Sequence, residues 1–450
     1  MRASLPLAIA LTFTLFPGAL QAQPELCGGA PATLLDNSRV SGGLSTAITL
    51  SDLDGDGRLE ILSGDAQGKV HIWNADGRRR RQWPKWVQNG SIFGPVSVAD
   101  IDGDGRVDVV VTSHNDAVIH AWRASGGVVT GFPLRIGGFD EAVRGFRRPI
   151  EAPETGFLRG GAMLTDLDGD AVPDVVAGAS HGLIHGLTEP FPDEVPGWPV
   201  QGPSNFQVTP ASADLDGDGS PEVVLHGGNT VSVFRADGSP FPGWPRSPGL
   251  SHTNPVLGDL DGDGTPEVVV AAGNTLRAYR SNGSLLFGPV VINSDDQFHY
   301  SSIALGDVTG DGLPEVFIGT LQGAIWGFGG NGANLPGWPV DVGPGPVNSS
   351  PLIVDLDSDG TRDVLVLAER GATLHALGAD GSPICPLVTL GGVAFASPAV
   401  GDLDGDGLGE VVAPTYGGGI YLLGLPGAWT PSRAPWPMYL ANERHTGELQ

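Results

Sequence analysis

Apolar residues along this chain fall in short runs, each broken by glycine, proline or a cluster of aspartates. Runs this short, rich in Val, Ile and Leu and bounded by turn residues, predict strands packed on both faces. Four kinds of run recur in a fixed order. Strand A leads into an acidic turn, as at Pro95–Ala99, Pro210–Ala213, Pro255–Gly258, Pro351–Val354 and Pro398–Gly401. Strand B follows that turn as a β-branched run, for example Val109–Thr112, Val223–Leu225, Val268–Ala271 and Val411–Ala413. Strand C comes next, at Val70–Trp73, Ile119–Trp122, Ile325–Phe328 and their counterparts. It usually ends in a hairpin-type pair such as Asp76-Gly77 or Asn282-Gly283, residues that tolerate left-handed φ. Strand D carries an aromatic-Pro pair: Trp83-Pro84, Phe132-Pro133, Trp198-Pro199, Trp244-Pro245, Trp338-Pro339 and Trp436-Pro437. Proline cannot donate to a ladder, so D belongs at the outer edge of a sheet. No amphipathic helix is predicted.

The acidic turns begin at Asp52, Asp100, Asp166, Asp214, Asp259, Asp307, Asp355 and Asp402, giving spacings of 48, 66, 48, 45, 48, 48 and 47 residues. A period in the forties with four short strands per unit predicts an all-β, eight-bladed β-propeller of four-stranded blades, with seven blades plus an extra terminal unit as the alternative. The expected divisions are a signal peptide over 1–22, an N-terminal closing segment over 23–44, the propeller over 45–440 and a C-terminal tail over 441–450. Arg2, the apolar run Leu5–Leu15 and the small-residue site Leu20-Gln21-Ala22 carry the signal reading, which implies a secreted, periplasmic or cell-surface protein. No later run is long enough to cross a bilayer as a helix. Strand D of the last unit is expected near Pro437–Leu440, with residues 24–40 running beside the last blades to close the ring. The two cysteines, Cys27 and Cys385, would pin that segment if paired; two unpaired buried thiols are the alternative.

Each acidic turn places oxygen donors on alternate residues. Position 1 is the Asp named above. Position 3 is Asp54, Asp102, Asp168, Asp216, Asp261, Thr309, Asp357 or Asp404, and position 5 is Asp56, Asp104, Asp170, Asp218, Asp263, Asp311, Asp359 or Asp406. Position 7 would offer only its backbone carbonyl, so Arg58, Arg106, Val172, Ser220, Thr265, Leu313, Thr361 and Leu408 are all tolerated there. Position 9 would close the site with Glu60, Asp108, Asp174, Glu222, Glu267, Glu315, Asp363 or Glu410. Hard oxygens converging through a curled backbone suit calcium, so up to eight Ca²⁺ are expected. An EF-hand is excluded, because strands flank the turns and Ser63, Val111 and Val270 stand at position 12. Thr309 removes a charge from the sixth turn, and Ala171 replaces the position-6 glycine of the third, where left-handed φ is required. Ser358 at position 4 of the seventh is expected to be harmless.

The net charge of −27 changes little in this picture. The turns hold 31 of the 51 acids, leaving 20 against 24 Lys and Arg. The acidity belongs to the metal loops, and the absence of a basic stripe excludes a nucleic-acid partner.

The Asp-x-Asp-Gly-Asp-Gly-x-x-Asp/Glu turns resemble the FG-GAP repeats of integrin α-subunit propellers, and more closely the FG-GAP/VCBS repeats of bacterial exported proteins. Ser350-Pro351, Ser397-Pro398, the Pro-Gly-Trp strands near 196–199, 243–245 and 336–339, and the ending Trp436-Pro437-Met438 through Thr446-Gly447 fit that group. The resemblance spans residues 45–447 and implies calcium binding and, loosely, extracellular adhesion.

Chemistry beyond calcium is sparse. Gly178-Ala179-Ser180-His181-Gly182 has the spacing of a nucleophile elbow but lies in a strand-to-strand turn. The basic run Arg78–Arg81 reads as a solvated turn. The long second spacing marks an insertion near Gly137–Gly160 with Phe139, Arg144, Phe146, Arg147 and Arg148. It should emerge opposite the metal loops, where other D–A loops bring Phe93, His252, Phe298, His299, Tyr300 and Phe395. Those rings and arginines are the candidate ligand site. No catalytic residue is assigned. The expectation is an exported calcium-binding module for a glycan or extracellular protein, with a lyase-like polysaccharide enzyme or a structural envelope component as alternatives.

Overall fold

A computed structural model describes residues 25–28, 33–34, 40, 42–87, 90–115, 117–136, 160–205, 207–293, 295–298 and 301–449. Eight antiparallel sheets follow one another along the chain as the blades of a propeller. In each blade the three-residue strand A is innermost, as in Thr49–Ser51, Ser97–Ala99 and Val256–Gly258. Strands B and C form the buried middle, for example Asp108–Ser113 against Val118–Arg123. The outer strand varies. It is split in the third blade, at Asp193–Glu194 and Val200–Gln201. In the fourth it shrinks to isolated bridges, Phe234 to Pro240 and Val231 to Arg246. No helix among the described residues is long and apolar enough to cross a membrane.

Apolar residues on both faces of B and C explain the stacking. Val109 and Val111 of blade 2 pack toward Leu62 and Ile72 of blade 1, while Val110 and Ile119 pack toward Leu164 and Val175 of blade 3. Burial of such continuous runs supplies the main driving force for assembly. The Trp-Pro pairs join adjacent blades with a hydrogen bond as well. The indole N–H of Trp83 donates to the Ala124 carbonyl at 3.1 Å, Trp198 to Ala236 at 2.8 Å, and Trp338 to Ala379 at 2.9 Å.

Both ends of the chain close the ring. The last blade takes its outer strand from the N-terminal segment: Thr33 and Leu34 pair antiparallel with Leu422 and Tyr421. The inner strands of blades 1 and 8 touch, and one core joins Ile48, Leu50 and Ile61 to Ala399, Leu403 and Val412. The expected outer strand near Pro437–Leu440 is therefore corrected. Those residues turn inward instead, and residues 436–449 pass around the propeller axis against the inner strands. Ile353, Val400, Val98, Leu164, Ser212 and Leu257 each lie two residues before the first Asp of a metal turn. Their amides donate to the carbonyls of Trp436, Pro437, Glu443, Arg444, Thr446 and Gly447 at 2.8–3.2 Å. An inner strand has one edge with no neighbour in its own sheet, and unpaired buried backbone groups are costly. The tail satisfies that edge in six blades, and Trp436, Leu440 and His445 are fully buried there.

Candidate metal centres and channel mouth

All eight acidic turns join strand A to strand B on one face. In the first, Asp52 accepts the amides of Gly55 at 2.7 Å and Gly57 at 2.9 Å, while Asp56 accepts that of Arg58 at 2.9 Å. Glu60 accepts the Leu53 amide at 3.0 Å, and Glu222, Glu267 and Glu410 repeat that contact in their own turns. These bonds fold the loop so that alternate carboxylates face one point. Carboxylate oxygens of Asp52, Asp54 and Asp56 lie within 4.8 Å of one another, as do those of Asp100, Asp102 and Asp108, and of Asp259, Asp261 and Asp263. Oxygens sharing a calcium at 2.3–2.6 Å can be no more than about 5 Å apart. The all-oxygen donor set therefore fits Ca²⁺.

The electrostatics point the same way. Burial pushes Glu60, Asp108, Glu222, Glu267 and Asp363 up to about 7, Asp174 to about 6 and Glu410 to about 8, with neighbouring aspartates adding to the rise. Negative charge held this closely calls for a cation. Five loops find one within the protein, the seventh through Arg433, whose Nε lies 3.6 Å from Asp355. Arg80 reaches Asp54 at 3.0 Å and Glu60 at 3.1 Å, Arg123 reaches Asp102 at 2.5 Å and Asp104 at 3.1 Å, Arg235 reaches Asp216 at 2.8 Å, and Arg280 reaches Asp261 at 2.6 Å. Reading Arg78–Arg81 as a solvated turn misses Arg80, which is largely buried. Arg123, Arg235 and Arg280 each follow the aromatic residue at the end of strand C, a phase that the sequence displays.

The loops are not equivalent. Positions 4 and 6 are both left-handed, at φ +75° and +82° in Gly55 and Gly57. Ala171 holds φ +71° at position 6, as its place in the repeat requires, and Ser358 holds φ +67° at position 4. The seventh loop therefore carries backbone strain where Ser358 was expected to be harmless. In the sixth loop the Thr309 hydroxyl donates to Glu315 at 2.9 Å and occupies the closing carboxylate.

The sequence profile described as "FG-GAP-like repeat" matches residues 52–111, 214–270, 259–318 and 307–366. The chain carries FG-GAP-like repeats. No curated protein matches it. Among solved structures, the FG-GAP-like propeller is similar to BamB from Moraxella catarrhalis, at 14% identity and TM-score 0.54, covering 87% of this chain and 99% of that one. It is also similar to Sqt1 of Saccharomyces cerevisiae, at 12% identity and TM-score 0.62, covering 88% and 100%. At these identities the likeness concerns the fold.

On the face opposite the metal turns, the propeller axis opens into a cavity of about 610 Å³. D–A loops supply Phe93, His252 and Phe395, B–C turns supply Glu369 and Tyr416, and Tyr439 of the axial tail lines it as well. Phe395 and Tyr416 meet edge to face at 5.0 Å and remain 41% and 43% exposed, as does Phe93 at 41%. The Asn348 amide donates to Glu369 at 2.6 Å, leaving its own buried carbonyl oxygen without a partner. Burial raises the Glu369 carboxyl above its ordinary range. Of the expected ligand residues, Phe298 is corrected: at 3% exposure it packs in the core between blades 5 and 6. Phe139, Arg144, Phe146, Arg147, Arg148, His299 and Tyr300 lie outside the described residues. Tyr416 and Glu369 escaped the sequence reading, which followed D–A loops and overlooked B–C turns on the same face; Asn348 lies on a D–A loop but offers neither the ring nor the charge that was sought. Gly178–Gly182 joins two strands of one sheet and forms no elbow.

Proposed function

We propose that this chain is an exported, calcium-stabilised binding module that takes a glycan or an extracellular protein at the channel mouth and performs no chemistry on it. The mouth carries the reading. Three half-exposed rings surround a cavity in which the Asn348 carbonyl oxygen is an acceptor without a donor, such as a sugar hydroxyl or side-chain N–H group would supply, beside the Glu369 carboxyl that takes the Asn348 amide. Aromatic faces beside a few convergent polar groups are the common composition of a ligand site. Calcium bound in the turns would hold the blade rims in shape and supply charge balance there. The test is a glycan and extracellular-protein panel probed with the intact chain and with Phe395→Ala and Tyr416→Ala. Binding lost in both variants, without new ends on the glycan, is the expected result. Cleavage of the bound glycan, or binding untouched by both changes, would overturn it.

A further inference from the structure

The chain has two cysteines, about 360 positions apart, and the fold brings them together. Cys27 lies in the short 3-10 turn Leu26–Gly28, just before the segment that supplies the closing strand. That turn is itself anchored: Glu25 bridges Gly424, and Leu26, at 1% exposure, sits in the core shared by blades 7 and 8. Cys385 packs against the same core from the outer part of blade 7. The Cys27 and Cys385 side chains are neighbours there, each acting on the other's ionisation. Both are half-buried, with no histidine among their interacting groups and Asp357 and Asp363 nearby.

We propose that Cys27 and Cys385 form a disulfide in the mature protein, fastening the N-terminal closing segment to blade 7. Each thiol gives up a proton and an electron, an S–S bond forms, and a disulfide-bearing oxidant of the exported compartment is reduced to two thiols. The oxidant presupposes the export proposed above; the juxtaposition of the two cysteines does not. The bond would span nearly the whole propeller, the loop size at which a cross-link restricts the unfolded chain most. It would also secure the point where a ring of blades is weakest. The closing strand has only two residues, Thr33 and Leu34.

The experiment takes the full chain secreted into an oxidising medium, maps peptides without reduction, and melts the protein with and without reductant and with 5 mM calcium present throughout. A linked Cys27–Cys385 peptide and a fall in melting temperature of roughly 5 °C or more on reduction are expected. Cys27→Ser with Cys385→Ser should melt like the reduced protein and ignore reductant. A second arm exposes the folded, reduced chain to oxidised glutathione, which tests the geometry without any assumption about export. Failure to link in that arm would overturn the proposal, as would one zinc per chain held by the two thiolates. Loss of ligand binding at the mouth would leave this linkage untouched, and the panel above measures it separately.

Discussion

The Leu257 amide donates to the Gly447 carbonyl at 2.8 Å, the same bond that Val98 makes to Glu443 and Ser212 to Thr446. One strand position in six blades is thus capped by residues of a single tail, taken in chain order. Ending the chain after Ala434 should leave those amides unpaired and remove buried Trp436 and Leu440. Loss of each large side chain alone costs about 3–5 kcal/mol. Urea unfolding of the shortened chain should show a much lower midpoint. An unchanged midpoint would mean that the tail is an ornament on an already stable ring.

The pH response should reverse with calcium. In the ion-free protein Glu60 is held at about 7 and Glu410 at about 8, above the 4.5 of an ordinary glutamate. A raised folded-state value gives stability that is complete below the ordinary value and lost as pH rises through 7 to 8. The chelated protein should therefore melt higher at about pH 5 than at about pH 8. Saturating calcium favours the ionised carboxylates, so the order should invert. Melting curves at both values, with chelator and with calcium, check this; the same order in both would refute it.

Strain in the third and seventh loops makes another expectation. A left-handed non-glycine residue costs about 1–2 kcal/mol. Ala171→Gly should therefore raise stability by about 1 kcal/mol and tighten the third site. Ser358→Gly should gain less, because the Ser358 hydroxyl donates to the Pro426 carbonyl and that bond would be lost. Isothermal titration with calcium would show whether the gain appears in the weakest class of sites, as it must.

Arg123 binds the carboxylates of Asp102 and Asp104 that calcium would need. Arg123→Gln should lower the melting temperature of the chelated protein, through repulsion among the aspartates, and enlarge the rise that calcium produces. A smaller calcium-induced rise would show instead that the arginine supports the bound ion.

Much of this molecule is legible in its residues. The phased turns from Asp52 to Glu410 announce the number of blades, the innermost strand and the oxygen donors, because each depends on neighbours within one repeat. Ala171 reads correctly as a left-handed position for the same reason. Trp436-Pro437 misleads. It copies the strand-D signature of Trp83-Pro84, yet Trp436 pairs with Ile353 of an inner strand, while the outer strand of the last blade is supplied by Thr33 and Leu34. Tyr416 and Glu369 carry no local signal at all, since their site exists only where turns from different blades converge.

By itself, the sequence determined what lies within one repeat: strand order, turn chemistry and the carboxylates that converge on each metal position. Only the tertiary structure decided which chain end completes the last blade, where the tail goes, which rings form the mouth and that Cys27 meets Cys385. The physical reason is range. A repeat encodes contacts a few residues apart, whereas closing a ring joins residues hundreds of positions apart, and the edges left unpaired choose their partners only once all eight blades are in place.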